Sequence, residues 1–298
     1  MSIDLAVTAP VYRDIVRARE EDPELRRLLE GIRSLGAKVL YPALLSGYAV
    51  TGDDEGKEQL RVLASALTAL FVRYNVVGGR ESTVMETAVY EVAADLRKNA
   101  DFDAAVAALI TLAPDAGEFV ARFQRVSVNR IATARYLLRE IEHAKRRTQE
   151  VSVEGTDRVH VEHIYPQTPD GPKWPNHALT LNRLGNLTLL GKRLNTSIKN
   201  AGFATKKTTG YAGSDVVMTK ELLAFDEWDT ATIEARQREL SNWVFDIWHF
   251  PGETRPEPPE STLAPVPAGD ADAAELDQLP ETPEAPPASR TLGYAACC

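Results

Sequence analysis

The chain has 298 residues, enough for one large domain or two modest ones, and its 44% hydrophobic content supports a substantial core. Its net charge is −9, but residues 251–298 hold nine acidic and two basic residues together with ten of the eighteen prolines. The acidity therefore belongs mostly to that segment, the remainder is near neutral, and the low pI says little about partners. The two cysteines, Cys297 and Cys298, stand together at the C-terminus, which excludes a disulfide framework or a cysteine zinc site elsewhere.

The N-terminus lacks the basic and apolar regions of a leader, and no apolar run reads as long enough to span a bilayer, so the expectation is a cytoplasmic protein with no membrane partner. Asp22-Pro23 opens a helix that Gly36 stops, and Leu60, Leu63, Leu67, Leu70 and Phe71 place a longer one over about 55–74, closed by Gly78-Gly79. Thr83 with Glu86 has the spacing of a capping box. Further helices are expected over 104–112 and 130–145. Residues 1–150 thus read as a helical scaffold domain.

From Glu150 the pattern changes. Val151, Val153, Val159 and Val161 alternate as a strand does, Pro166, Pro169, Pro172 and Pro175 mark an irregular loop, and Leu187 to Leu190 reads as a returning strand. Asn195 to Ala201 has room for one or two helical turns, and closing helices are expected over 222–228 and 232–248. The tryptophans at 228, 243 and 248 read as core anchors. The expected fold class is mainly α: a helical bundle, a strand-loop-strand-helix finger within residues 151–250, and a disordered Pro-rich acidic tail over 251–298.

The finger carries the chemistry. Its string VEHIYPQ (161–167) sets Glu162 beside His163, and GNLTLL (185–190) followed by Asn195 supplies two amides. Water attacking phosphorus needs a base of near-neutral pKa, for which imidazole is suited, and a developing negative charge is stabilised by a cation held on hard oxygen donors. His163 is the candidate base, Glu162 and Asn195 candidate metal ligands, and Asn186 a residue that bonds backbone near the His163 loop. Successive strand residues face opposite sides, so Glu162 and His163 converge only where the strand bends or ends. His160 shares the Glu162 face as a further candidate ligand, and Asn200 competes with Asn195.

Lys173, Arg183, Lys192, Arg193, Lys199, Lys206 and Lys207 fall within 171–214, where no acidic residue occurs, as suits a polyanionic substrate.

The strings EHIYPQ and RLGNLTLLGKRLN, with Asn200 and Lys206 after them, resemble the HNH (His-Me finger) nuclease domain, a ββα-metal fold, of the C-terminal part of GmrSD-type modification-dependent restriction endonucleases and of the related phosphorothioate-linked SspE defence proteins. The resemblance covers about residues 155–210 well and extends loosely over FVRYNVVGG and RYLLREIE. It implies a metal-dependent DNA endonuclease, nicking or cutting double-stranded DNA with little sequence preference, as the effector of an antiviral restriction system. It also implies His163 as base, Asn186 as the central asparagine, Asn195 on the metal side, and Mg2+ or Mn2+ as cofactor. Such systems add a nucleotide-dependent sensor with a DGQQR-like motif. Neither that motif nor a GxxxxGK[ST] loop occurs in this sequence, so the sensor is expected in another domain or subunit. Two other readings stay open: a catalytically inactive DNA-binding or interaction module of the same fold, and a zinc hydrolase using His160, His163 and His177.

Overall fold

A computed structural model describes residues 5–51, 54–146, 159–169, 173–174 and 176–257. The architecture is mainly helical, with one two-stranded antiparallel sheet among the described residues. In chain order the helices are α1 (Leu5–Val16), α2 (Pro23–Leu35), α3 (Tyr41–Val50), α4 (Asp54–Phe71), α5 (Ser82–Asn99), α6 (Phe102–Leu112), α7 (Ala116–Phe123) and α8 (Ile131–Lys145). Strand β1 (Val159–His163) follows, then α9 (His177–Thr180), β2 (Leu187–Gly191), α10 (Lys192–Ile198), α11 (Phe203–Thr209), α12 (Val217–Lys220) and α13 (Thr230–Trp248).

The capping chemistry explains several of these starts. The carboxylates of Asp22, Asp101, Asp115 and Asp229 accept from the backbone N–H of Leu25, Ala104, Glu118 and Thr232, filling donors that a helix N-terminus leaves open. Gly36 ends α2 at φ 68°, where a side chain would be strained. The Thr83–Glu86 box does not form: α5 begins at Ser82, so Thr83 already lies inside the helix, and its carbonyl accepts from the Thr87 hydroxyl. Helix α4 passes into a π-helical segment, Val72–Val77. The run Glu55–Val77 is long and apolar enough to cross a membrane by length and composition, against the sequence expectation, but 67% of its most apolar stretch is buried inside the protein, as befits a central core helix.

Residues 222–228 do not form the expected helix. A 3-10 turn covers Glu221–Ala224 and the chain then extends, releasing Trp228 into a small core. Val151 and Val153, expected in the first strand, lie outside the described residues. Of the expected tail, residues 251–257 are described, and one of them is anchored to the body: Glu253 forms a two-oxygen pair with buried Arg73, at 2.7 and 2.8 Å.

The hairpin register pairs Val161 with Leu189, Glu162 with Thr188 and His163 with Leu187. It separates two apolar clusters. Val159, Val161, Leu187 and Leu189 face the large core of the helices, whereas Leu190 joins Ile164, Ile198, Tyr211, Trp228 and Ile233 on the other side. A strand covered on both faces loses the polar alternation of a half-exposed one, which accounts for LTLL in β2.

Candidate active site

His163 ends β1, and the elements around it fix where it points. Its register partner Leu187 and the neighbouring Leu189 are fully buried, so β2 gives the hairpin a firm inner edge. The next residues turn away from the sheet under the control of Asn186, which is itself fully buried. Its Oδ1 accepts from the Tyr165 backbone N–H at 2.9 Å and from Trp228 Nε1 at 3.0 Å. Its Nδ2 donates to the carbonyls of Tyr165, 3.2 Å, and Leu181, 2.9 Å. One amide therefore ties together both ends of the long loop and the tryptophan behind it. The Ile164 N–H adds a bond to the Asn186 carbonyl.

Gly185 allows this arrangement. A Cβ built there would lie 2.1 Å from the Ile233 carbonyl oxygen, so α13 packs directly on backbone. Two side chains of α13 fasten the same turn. Arg236 Nη1 donates to the carbonyls of Gly185 and Leu187 at 2.8 and 2.7 Å, and burial lowers its pKa to about 10, which leaves it charged near neutrality. Gln237 Oε1 accepts from Gly185 N–H and Arg183 Nε, while its Nε2 donates to the carbonyls of Phe123 and Val126.

The imidazole itself is half-buried. Its Nε2 lies 3.0 Å from Asn182 Oδ1, and Asn182 Nδ2 donates to Asn129 Oδ1 at 2.9 Å. An amide oxygen can only accept, so Nε2 carries the proton and the lone pair is on Nδ1. The pKa of His163 lies below its ordinary value: burial is the main cause, the Asn182 bond acts the other way, and the charges of Lys206 and His177 lower it further. The ring is thus neutral near pH 7, with one nitrogen oriented and the other able to take a proton. Asn182 and Asn129 were absent from the sequence reading. The only signal for Asn182 is a polar residue shortly before GNLTLL, in a loop whose path the sequence does not fix.

Glu162 faces the opposite side of β1. It is buried, and its Oε1 lies 2.5 Å from Lys206 Nζ, whose side chain is 1% exposed. The same ammonium donates to the His163 carbonyl at 2.7 Å. Burial raises the Glu162 pKa and lowers that of Lys206, and each is opposed by the other's charge. Tyr211 is packed against this pair, and burial, then the Glu162 charge, raises its pKa far above the ordinary phenol value.

The structure does not gather the expected metal donors. Glu162 is committed to Lys206, while Asn195 is half-exposed in α10 and Asn200 exposed beyond it. No hydrogen bond among the described residues joins either asparagine to Glu162 or the histidines. His160 Nε2 is buried without a partner among those residues. His177 bonds the Pro166 carbonyl, at 3.2 Å, and stands edge-on to Tyr165. No three His, Cys, Asp or Glu side chains among the described residues could hold a metal ion, so the zinc trio of His160, His163 and His177 is not formed. In this arrangement the side chains do not fit a divalent ion held by Glu162.

The basic stretch divides in the same way. Lys173, Lys192, Arg193 and Lys199 are exposed. Lys206 instead lies in the interior, Lys207 donates to the Phe225 carbonyl, and Arg183 bonds Gln237 and the Gln124 carbonyl, at 2.9 and 2.8 Å. Burial lowers the Arg183 pKa. These three side chains hold the fold together.

His163 thus stands at the end of an antiparallel hairpin whose turn is braced by the buried Asn186, with the short helix α10 following β2. Residues 114–243, somewhat less than half of the chain, match the family model of the GmrSD restriction endonucleases, C-terminal domain. The match includes α7 and α8, which the geometry explains: Val128 N–H bonds the Asn182 carbonyl, and Glu142 of α8 accepts from the N–H groups of Val217 and Met218. No curated protein matches the chain.

Proposed function

We propose that this domain hydrolyses phosphodiester bonds of double-stranded DNA with His163 as general base. The observation that carries the reading is the pairing of His163 Nε2 with Asn182, which leaves the Nδ1 of a neutral imidazole able to accept a proton from attacking water. Asn186 contributes by fixing the turn that carries the histidine, and the exposed Lys192, Arg193 and Lys199 supply phosphate contacts that position duplex without reading sequence.

The order hairpin then helix agrees with a ββα finger. The cofactor implied by the resemblance is Mg2+ or Mn2+, and its protein donors are not assembled while Glu162 holds Lys206. The chemistry assigned here to the chain is therefore that of the base and its supports. The domain acts as the cutting component of a cytoplasmic restriction or anti-phage system, with the sensing of modified DNA in a nucleotide-dependent partner domain or subunit.

Supercoiled plasmid incubated with the protein in Mg2+, Mn2+ or EDTA tests this. Conversion to open-circular or linear DNA in a divalent ion is expected, and His163→Ala should lose it. Equal cleavage by His163→Ala would remove the mechanism, and binding without cleavage under every condition would favour a DNA-binding module.

A further inference from the structure

Among the described residues, the Lys206 ammonium is the cation that touches both Glu162 and the backbone of the candidate base. It sits 2.5 Å from Glu162 Oε1 and 2.7 Å from the His163 carbonyl oxygen, with its side chain almost wholly out of solvent. Position explains why this matters. His163 is the last residue of β1, and the Ile164 N–H still reaches across to the Asn186 carbonyl in the hairpin register. Across the trans peptide the His163 carbonyl points the opposite way, away from β2 and off the open edge of the strand. A carbonyl there needs a donor, because an unpaired buried acceptor is costly.

A lysine brought inside to supply that donor needs an opposite charge, since an unpaired buried cation is far more costly still. Glu162 is the nearest such group, one residue before the carbonyl it helps to fix. Alternation along the strand completes the arrangement: the carboxylate faces Lys206 on one side while the imidazole emerges towards Asn182 on the other. Lys206 reaches the strand from α11, whose N-terminal residue Phe203 packs with Trp228, the tryptophan that bonds Asn186. The lysine and the asparagine thus brace two carbonyls one residue apart, those of His163 and Tyr165, on either side of Ile164.

We propose that Lys206 is a positioning residue for His163, holding the histidine carbonyl through its buried ammonium, and that Glu162 serves as the counter-charge of that lysine instead of as a metal ligand. The proposal rests on the reading of His163 as base, but it makes claims about geometry that hold whether or not the protein cleaves DNA. The side chain implied as a metal donor is spent on orientation, and the stretch that reads as uniformly basic contributes its most deeply buried cation to the same purpose.

A charge-pair cycle with a metal-binding arm tests it. Lys206→Met and Glu162→Gln should each lower kcat by about 10- to 100-fold with KM for plasmid held within about twofold. The double variant should lose no more than the worse single one, and Lys206→Arg should recover most of the rate. Direct Mn2+ binding, measured by electron paramagnetic resonance in a His163→Ala background, should change less than about threefold on Glu162→Gln. Nitrogen-labelled histidine spectra should show His163 mainly as the Nε2–H form in the parent and in Lys206→Arg, and a mixture in Lys206→Met.

If a single variant fails to fold, the uncharged pair Glu162→Gln/Lys206→Met is assayed in its place against the same expectations. Weakening of Mn2+ binding by tenfold or more in Glu162→Gln, fully additive rate losses, or an unaltered tautomer in every Lys206 variant would overturn the proposal. Should the parent cleave nothing, the nuclease reading fails, and the histidine spectra still decide the role of Lys206.

Discussion

His163 Nε2 and Asn182 Oδ1 lie 3.0 Å apart, and that contact joins the end of β1 to the far side of the loop that separates the two strands. Asn182 is held in turn by Asn129, which belongs to the connection between α7 and α8. The orientation of the His163 imidazole therefore depends on the helical part of the chain. Asn182→Ala should lower kcat by about 10- to 100-fold while leaving KM for DNA within about twofold, as for partners that orient an active side chain. Steady-state cleavage rates measured against plasmid concentration check this, and an unchanged kcat would make the contact incidental.

The same contact gives a pH prediction. The His163 pKa is lowered below the ordinary 6.5, mainly by burial, so the acidic limb of kcat/KM should lie below that value. The sign also sets a stability effect: as pH falls below 6.5 the unfolded chain takes up this proton first, so stability attributable to His163 is present above 6.5 and is lost down to the folded pKa. Asn182→Asp places a carboxylate against Nε2, favours imidazolium, and should move the limb to higher pH. Rate profiles of the two proteins between pH 5 and 8 compare them on the same substrate, and a limb that stays in place would separate His163 from the titration.

The pattern of alternation and capping made much of this fold legible. Asp22-Pro23 and Gly36 bracket α2 as their local chemistry requires, and Leu187 to Leu190 forms the returning strand. Other parts depend on contacts that no short window contains. Helix α3 is apolar on all sides, and without a stripe its period is hidden. The Thr83–Glu86 spacing failed because the helix starts two residues earlier than the box needs. At the candidate site, residue types pointed to His163, but the partner of Glu162 lies forty-four positions away on α11, and charge alone could not distinguish a lysine facing solvent from one drawn inside. Asn182 is likewise a loop residue whose role comes from where the loop returns.

Gly185 and Asn186 form a second linked pair with distinct expected failures. Gly185→Ala would set a Cβ 2.1 Å from the Ile233 carbonyl oxygen and must push α13 away, so a loss of about 2–3 kcal/mol is expected, or roughly 5–10 °C in Tm. Asn186→Ala leaves Trp228 Nε1 and the Tyr165 backbone without their partners and should cost about 3 kcal/mol or more. Thermal unfolding followed by circular dichroism measures both, and a Gly185→Ala protein as stable as the parent would contradict the close packing.

For DNA binding the exposed and buried cations should separate. Neutralising Lys192 and Arg193 together should reduce the slope of log affinity against log salt by about 2, since each phosphate contact contributes about 0.9. Lys207→Ala should leave that slope alone, because its ammonium is engaged with the Phe225 carbonyl. Fluorescence anisotropy of a labelled duplex over a salt series provides the slopes. Equal slopes for the parent and the Lys192/Arg193 variant would move the DNA-contacting surface elsewhere.

The last prediction concerns the segment after α13. Arg73, 1% exposed in the π-helical turn, is held by Glu253, by the carbonyl of Pro114 at 2.7 Å, and between the rings of Phe119 and Phe250. Removing its counter-charge with Glu253→Gln should destabilise the protein by about 2 kcal/mol at neutral pH, the loss of a charged hydrogen bond at a partly exposed site. Burial would raise the Glu253 pKa, but the bonds from Arg73 and the Phe250 N–H hold it below the ordinary 4.5. A carboxyl depressed in this way contributes stability that is present above pH 4.5 and lost as pH falls through the folded value. The gap between parent and Glu253→Gln in denaturant unfolding should therefore be full at pH 7 and narrow steadily below pH 4.5. A gap that stayed constant to pH 3 would mean that the variant acts through packing and not through the carboxylate's charge.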